Sequence, residues 1–194
     1  MDHSARKVLT QLTAPDHLWS WAELQGHKSK PPAQAGVYAW YFKRKPPGVP
    51  GDRCHRVRRM PLLYIGIFPA RLTSRETIRS RLRYHFSGNA SGSTLRTTLG
   101  ALLQRELDLS FRRISVSTMK FLPDDEARLS DWMADNARVA WAVCDRPWEV
   151  EHELVRALSL PLNLANNTEH PFYLALSAVR KVMKDGAVSN PIWR

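Results

Sequence analysis

The sequence predicts an α/β (α+β) domain in which helices flank a small three-stranded sheet, mixed or antiparallel. Three observations point there. Three short apolar runs of strand character are spread along the chain, the segments between them repeat apolar residues at helical spacing, and the connections are rich in Gly, Pro, Asn and Ser. At 194 residues the chain suits one well-buried domain with decorations. Its 43% hydrophobic and 24% charged residues are those of a globular protein, so 13 prolines do not signal disorder.

Residues 1–35 are weakly patterned and are expected to pack on the core as a flank, with Leu18, Trp19, Trp21 and Leu24 suggesting a short amphipathic helix before Pro31 and Pro32. Gly36-Val37-Tyr38-Ala39-Trp40-Tyr41-Phe42 is aromatic and β-branched, which predicts the first strand. A Pro-, Gly- and Arg-rich loop leads to the second, Leu62-Leu63-Tyr64-Ile65-Gly66-Ile67. Thr73 and Glu76 have the spacing of a capping box, and Ile78, Leu82 and Phe86 continue it as a helix from about 74 to 86. After the loop chemistry of residues 87–92, Leu95, Leu99, Leu102 and Leu103 mark another helix. Residues 111–121 alternate as a strand or extended connection. Pro123 and three acidic residues then open a helix with Leu129, Trp132 and Met133 as its buried stripe. Val139-Ala140-Trp141-Ala142-Val143 is the third strand. Asp145 and Pro147 start a helix with Val150, Leu154 and Leu158 on its apolar face, ended by Pro161. A last helix over 171–184 belongs to a C-terminal extension, 166–194.

No apolar run approaches the roughly 18 residues that span a bilayer, and the N-terminus lacks the basic-then-apolar order of a signal peptide, so the expected setting is cytoplasmic, away from membranes. Cys54 and Cys144 stand ninety residues apart without a CxxC, which excludes a recognisable zinc cage or disulfide framework. The net charge of +11 favours a polyanionic partner. That charge is concentrated: residues 36–113 hold 16 of the 29 basic residues but 4 of the 18 acidic ones, a net +12, and the remainder sums to −1.

Two tripeptides, Gly36-Val37-Tyr38 and Tyr64-Ile65-Gly66, lie in the first two strands inside this basic region. Arg81 follows in a helix, five residues before Phe86, and His85 stands one turn after Arg81. Glu151-His152-Glu153-Leu154 and Pro161-Leu162-Asn163 come later. This order resembles the GIY-YIG nuclease superfamily, whose members carry the two tripeptides, an arginine on the next helix, a glutamate in an E-x-x-L setting and an asparagine in a P-x-N-like turn. The resemblance covers residues 36–165, read as a nuclease-like domain. Departures are Val for Ile in the first word and the long insertion, 43–59, between the words.

The resemblance implies Tyr38 as the water-activating residue, with Tyr64 and His85 orienting water or phosphate, although the sequence does not decide which takes the proton. Phosphodiester hydrolysis also needs charge against the phosphate oxygens. Arg81 suits that as a guanidinium fork. Glu151 is the candidate ligand of a Mg²⁺ (or Mn²⁺), a hard cation that keeps most of its waters. Glu153 is the other candidate, but it points about 200° away around the helix. Asn163 either belongs to the site or turns the chain after Pro161. Arg53, Arg56, Arg58 and Arg59 of the loop, with Arg71 and Arg83, are expected to grip DNA phosphates; Arg75 and Arg79 fit a solvated face equally well. Residues 88–94 could present backbone amides to a phosphate. The function expected is metal-dependent endonucleolytic cleavage of DNA, RNA being a second possible substrate; the alternative is a nucleic-acid-binding protein that keeps the fold without catalysis. Oligomeric state is not legible.

Overall fold

The computed structural model describes residues 1–26, 31–69 and 77–193. Its centre is an antiparallel sheet built from β1 (Gly36–Phe42), β2 (Arg56–Val57), β3 (Met60–Phe68) and β6 (Ala137–Val143), in the spatial order β2-β3-β1-β6. The three predicted strands are β1, β3 and β6, and the two-residue β2 extends them as a hairpin arm. β1 is buried along its whole length. It is central and covered on both faces, which is why its sequence reads as a continuous apolar run without polar alternation.

Tyr38, Trp40, Phe42 and Tyr64 point into one apolar cluster with α3 (Ile78–Ser87), α4 (Thr94–Leu103) and α5 (Pro123–Asn136). Val37, Ala39, Tyr41, Ile65, Ala140 and Ala142 point into the other, under α1 (His3–Thr13) and α6 (Pro147–Ala157). The alternation of side chains along each strand thus sends the two tyrosines of the tripeptides to the α3 side. The 111–121 segment is a small hairpin, β4 (Phe111–Arg113) with β5 (Met119–Phe121). α7 (Tyr173–Ser189) packs on α4 and β4 and runs five residues past the predicted end.

In the N-terminal flank two features depart from the sequence expectation. α1 was not anticipated: Asp2 caps it by accepting from the Ala5 N–H at 2.7 Å, and Ala5, Val8 and Leu12 form its buried stripe. The expected amphipathic helix is a single turn, α2 (Trp21–Gln25), capped by reciprocal Ser20 and Glu23 bonds. The capping pair Thr73 and Glu76 lies outside the described residues. α3 starts within them at Ile78, capped by Thr77 and Ser80.

Both margins of the sheet are occupied. Trp19 exchanges two backbone bonds of 2.9 Å with Val139 on β6. On β3, the Leu162 N–H donates to Leu63 O at 3.0 Å. Asn163 presents its amide like a strand, accepting from the Ile65 N–H at 3.0 Å and donating to Ile65 O at 2.9 Å.

Candidate active site

The pairing of β1 with β3 sets Tyr38 directly opposite Gly66. Any Cβ on Gly66 would stand 2.5 Å from the Tyr38 hydroxyl and 2.6 Å from the ring, so the glycine of the second tripeptide is the space the tyrosine of the first lies in. Gly36 is equally constrained, because a Cβ there would overlap Ala142 O on β6 and the Ile78 side chain. Both glycines are therefore packing requirements of the sheet that presents the tyrosines.

Arg81 and His85 are four residues apart on α3 and share its face toward the sheet. Tyr38 Oη and His85 Nε2 are hydrogen bonded at 2.9 Å, and His85 Nδ1 and Ser93 Oγ at 2.7 Å. Ser93 is also the N-cap of α4, accepting from the Arg96 N–H. Arg96, fully buried, donates to His85 O and Phe86 O and forms an ion pair with Glu126 at 2.6 Å. These bonds tie α3, α4 and α5 together behind the histidine and fix its ring.

Arg81 sits between the rings of Phe68 (5.3 Å) and Tyr84 (5.9 Å) and donates from Nη1 to Gly92 O at 3.0 Å. Its Nε is buried without a partner, and among the described residues no carboxylate pairs it. A guanidinium held with a donor unspent fits an incoming anion. The neighbouring arginines differ: Arg79 is spent on Pro31 O at 2.7 Å, and Arg83 is exposed.

Glu151 stands near the start of α6, which packs on the other face of the sheet, within electrostatic reach of both phenols: burial raises them most, and its charge adds a lesser upward push. Burial pushes the Tyr38 phenol up to about 12 against the opposing pull of Arg81. Burial also raises Tyr64. It holds His85 well below the ordinary histidine value, an effect to which Arg81 and Arg96 add, so the imidazole is neutral. Desolvation raises the Glu151 carboxyl. Glu151 takes no hydrogen bond from the described residues, whereas Glu153 faces away and accepts from the Asp2 N–H at 3.0 Å. The geometry thus separates the two glutamates as the helical angle required.

Residues 36–182 match the family model for the GIY-YIG catalytic domain. The chain belongs to the GIY-YIG family. That family is of nuclease type, and its catalytic-domain match runs through α7 as far as residue 182. No curated protein and no solved structure gives a significant match.

In this GIY-YIG chain Tyr38, Tyr64, Arg81 and His85 come together on the α3 side of the sheet, Glu151 lies within electrostatic reach of the two phenols, and Asn163 lies on the far edge of β3, holding the Tyr64-Ile65-Gly66 backbone. The arginines of the insertion lie elsewhere. Arg58 and Arg59, both at positive φ, form the tip of the β2–β3 hairpin, at the end of β3 away from Gly66. At about 3.3 Å per residue the tip is roughly 20 Å from that glycine. Arg56 is turned onto Gly51 O and Arg59 O, and Arg53 lines a separate cleft with Cys54 and Ser159. Arg71 and Arg75 lie outside the described residues. In the 88–94 loop, the Gly92 amide is turned inward to Asn89 Oδ1, leaving Gly92 O to receive Arg81.

Sequence reasoning missed Ser93 and Arg96. A serine directly before the Leu95/Leu99 periodicity is an N-cap signal that could have placed Ser93; nothing local distinguishes Arg96 from the surface arginines.

Proposed function

We propose that this chain is a metal-dependent endonuclease that hydrolyses DNA phosphodiester bonds by one-step attack of water, acting in the cytoplasm. The carrying observation is the hydrogen-bonded Tyr38–His85 pair beside the Arg81 guanidinium, whose Nε has no partner among the described residues, with the Glu151 carboxylate within electrostatic reach of Tyr38. The free thiols Cys54 and Cys144 suit a reducing compartment, and among the described residues no helix is long and apolar enough to cross a membrane. In this reading residues 36–165 are the catalytic unit, with 1–35 packed on it and 166–194 an extension.

Arg81 binds the scissile phosphate, its fork engaging the non-bridging oxygens. At a pKa of about 12 the Tyr38 phenolate is scarce at neutral pH, so the phenol acts in relay: it takes a proton from the attacking water as its own passes to His85 Nε2. That transfer uses the tautomer in which His85 Nδ1–H donates to Ser93 Oγ. A bound phosphate offsets the Arg81 charge that depresses His85, so substrate itself makes the imidazole a better acceptor. The water oxygen bonds to phosphorus, the bond to the 3′ oxygen breaks, and solvent protonates the leaving oxygen. Tyr64 orients water or phosphate beside Tyr38.

The donor set fits a hard cation. Glu151 offers carboxylate oxygens that no described group occupies, and the described residues hold no cluster of three or more His, Cys, Asp or Glu, which suits Mg²⁺ or Mn²⁺ retaining water in its other positions. Held by Glu151, such an ion supplies positive charge against the phosphate and the leaving oxygen.

Plasmid DNA incubated with the protein and Mg²⁺ or Mn²⁺ is expected to be nicked, and Glu151→Ala to lose roughly 10²–10³-fold in rate. Absence of nicking by the wild type, or equal nicking by the variant, overturns the assignment. Metal-independent, salt-sensitive binding that survives the substitution without cleavage would make the chain a binding protein on this fold.

A further inference from the structure

Outside the cluster, one groove of about 530 Å³ runs between the 90–94 loop, the turn before β5 and α7. Its floor is shared with the site. Gly92, whose carbonyl receives Arg81, and Ser93, whose hydroxyl holds His85, both line it. Its far wall is α7, which brings in Arg180 and, one turn on, Lys184.

Arg180 is partly buried, yet its one hydrogen bond among the described residues is from Nη1 to the neutral Thr98 hydroxyl at 2.8 Å, and no described carboxylate pairs it. Burial depresses its pKa, and it and the Tyr64 phenol sense each other electrostatically. Lys181, on the same helix, shows the usual alternative: it is exposed and paired with Asp185 at 2.6 Å. The remaining donors of Arg180 are not buried, so they face the solvent of the groove and are free to meet an anion there. The rest of the lining supplies the hydroxyls of Thr94, Ser117 and Thr118 beside the apolar Phe111 and Met119, with no described carboxylate to repel a phosphate.

We propose that Arg180 and Lys184 hold a phosphodiester adjacent to the one that is cut, so that the DNA backbone runs from Arg81 into the α7 groove. The inference rests on reading the neighbouring site as one that cleaves DNA, and it makes α7 part of the substrate surface.

The test is binding of a short DNA duplex by fluorescence anisotropy across a salt series, in a Glu151→Gln background that leaves the DNA intact. Arg180→Met is expected to raise Kd roughly tenfold and to flatten the slope of log K against log salt by about 0.9. Arg180→Lys, which keeps the charge, restores the slope. Lys184→Ala, at an exposed position, flattens the slope by a similar amount without changing the melting temperature, and it carries the test if Arg180→Met fails to fold. Unchanged affinity and slope in Lys184→Ala and in folded Arg180→Met overturn the inference. If the parent protein cuts DNA while those variants bind normally, the groove assignment alone falls; if the parent does not cut but both variants lose affinity and slope, the groove stands and the nuclease reading falls.

Discussion

Single atoms decide the geometry of the site. Because the Tyr38 ring occupies the space over Gly66, Gly66→Ala is expected to displace the phenol from His85 and lower kcat about 10²-fold, since misplacement of a reacting group by about 1 Å has that effect. A crystal structure of the variant with Tyr38 unmoved, or unchanged kcat, contradicts this. Glu151 gives the pH dependence. Burial raises its carboxyl above the ordinary 4.5, so as pH falls it takes up a proton sooner than a solvated glutamate. Titrated by NMR in the metal-free protein, Glu151 is therefore expected to take up its proton above pH 4.5, and a midpoint at or below 4.5 contradicts this. His85, held well below 6.5, stays neutral near pH 7. The sign for stability follows: a carboxyl with a raised folded-state pKa favours folding at acid pH, and that contribution is lost as pH rises through the folded value. Glu151→Gln should thus raise the melting temperature at neutral pH, with the gain vanishing in acid; a variant that melts lower at neutral pH refutes the assignment. Tyr38, Tyr64, Arg81, His85 and Glu151 were legible as candidates because their order along the chain is a pattern. Their electrostatic states were not, because burial and the opposing charges of Arg81 and Glu151 arise only in three dimensions.

At the level of elements, β1, β3 and β6 were legible from their apolar runs, α4 from its leucine spacing, and α5 and α6 because apolar periodicity and a Pro start coincide there, whereas the 111–121 alternation hid a hairpin turn. α1 was not, since Lys7, Gln11 and two threonines dilute a stripe of three small or aliphatic side chains. Asn163 shows a different limit. Its neighbourhood reads as a turn, and its bonds go to Ile65, 98 residues earlier, which no local pattern encodes. Those bonds hold the backbone between Tyr64 and Gly66, so Asn163 is a positioning residue. Asn163→Ala leaves a buried N–H and C=O of Ile65 unpaired and is expected to destabilise the fold by about 1–3 kcal/mol in urea unfolding. The loss of kcat should exceed any change in KM for DNA; a rise in KM alone would place Asn163 on the substrate side.

Across the whole molecule, the charge asymmetry of the sequence resolves into separate uses. Within the basic 36–113 segment, Arg96 is buried on Glu126, Arg44 is paired with Glu106, and Arg79 and Arg56 are bonded to backbone carbonyls. Arg81 keeps an unspent donor, and Arg180 and Lys184 come from outside the segment altogether. A summed charge could not anticipate that, because Glu151 on α6 and Arg180 and Lys184 on α7 come from more than 80 residues beyond the two tripeptides. The β2–β3 hairpin, roughly 20 Å from Gly66, sets a length requirement. Arg58→Ala with Arg59→Ala is expected to weaken binding only of duplexes reaching about six base pairs beyond the cut, at about 3.4 Å each. Equal weakening of shorter duplexes would mean the hairpin folds back over the site.

The Asn163 amide and the Trp19 backbone have one more effect, on how copies of the chain meet in a crowded cell. An open strand is a template for another strand, and here the bonding groups of Ile65 and Val139 that would serve it are already taken. Each edge thus offers a neighbouring chain a broken ladder instead of a continuous one, and a variant lacking the Asn163 amide would reopen the rungs at Ile65.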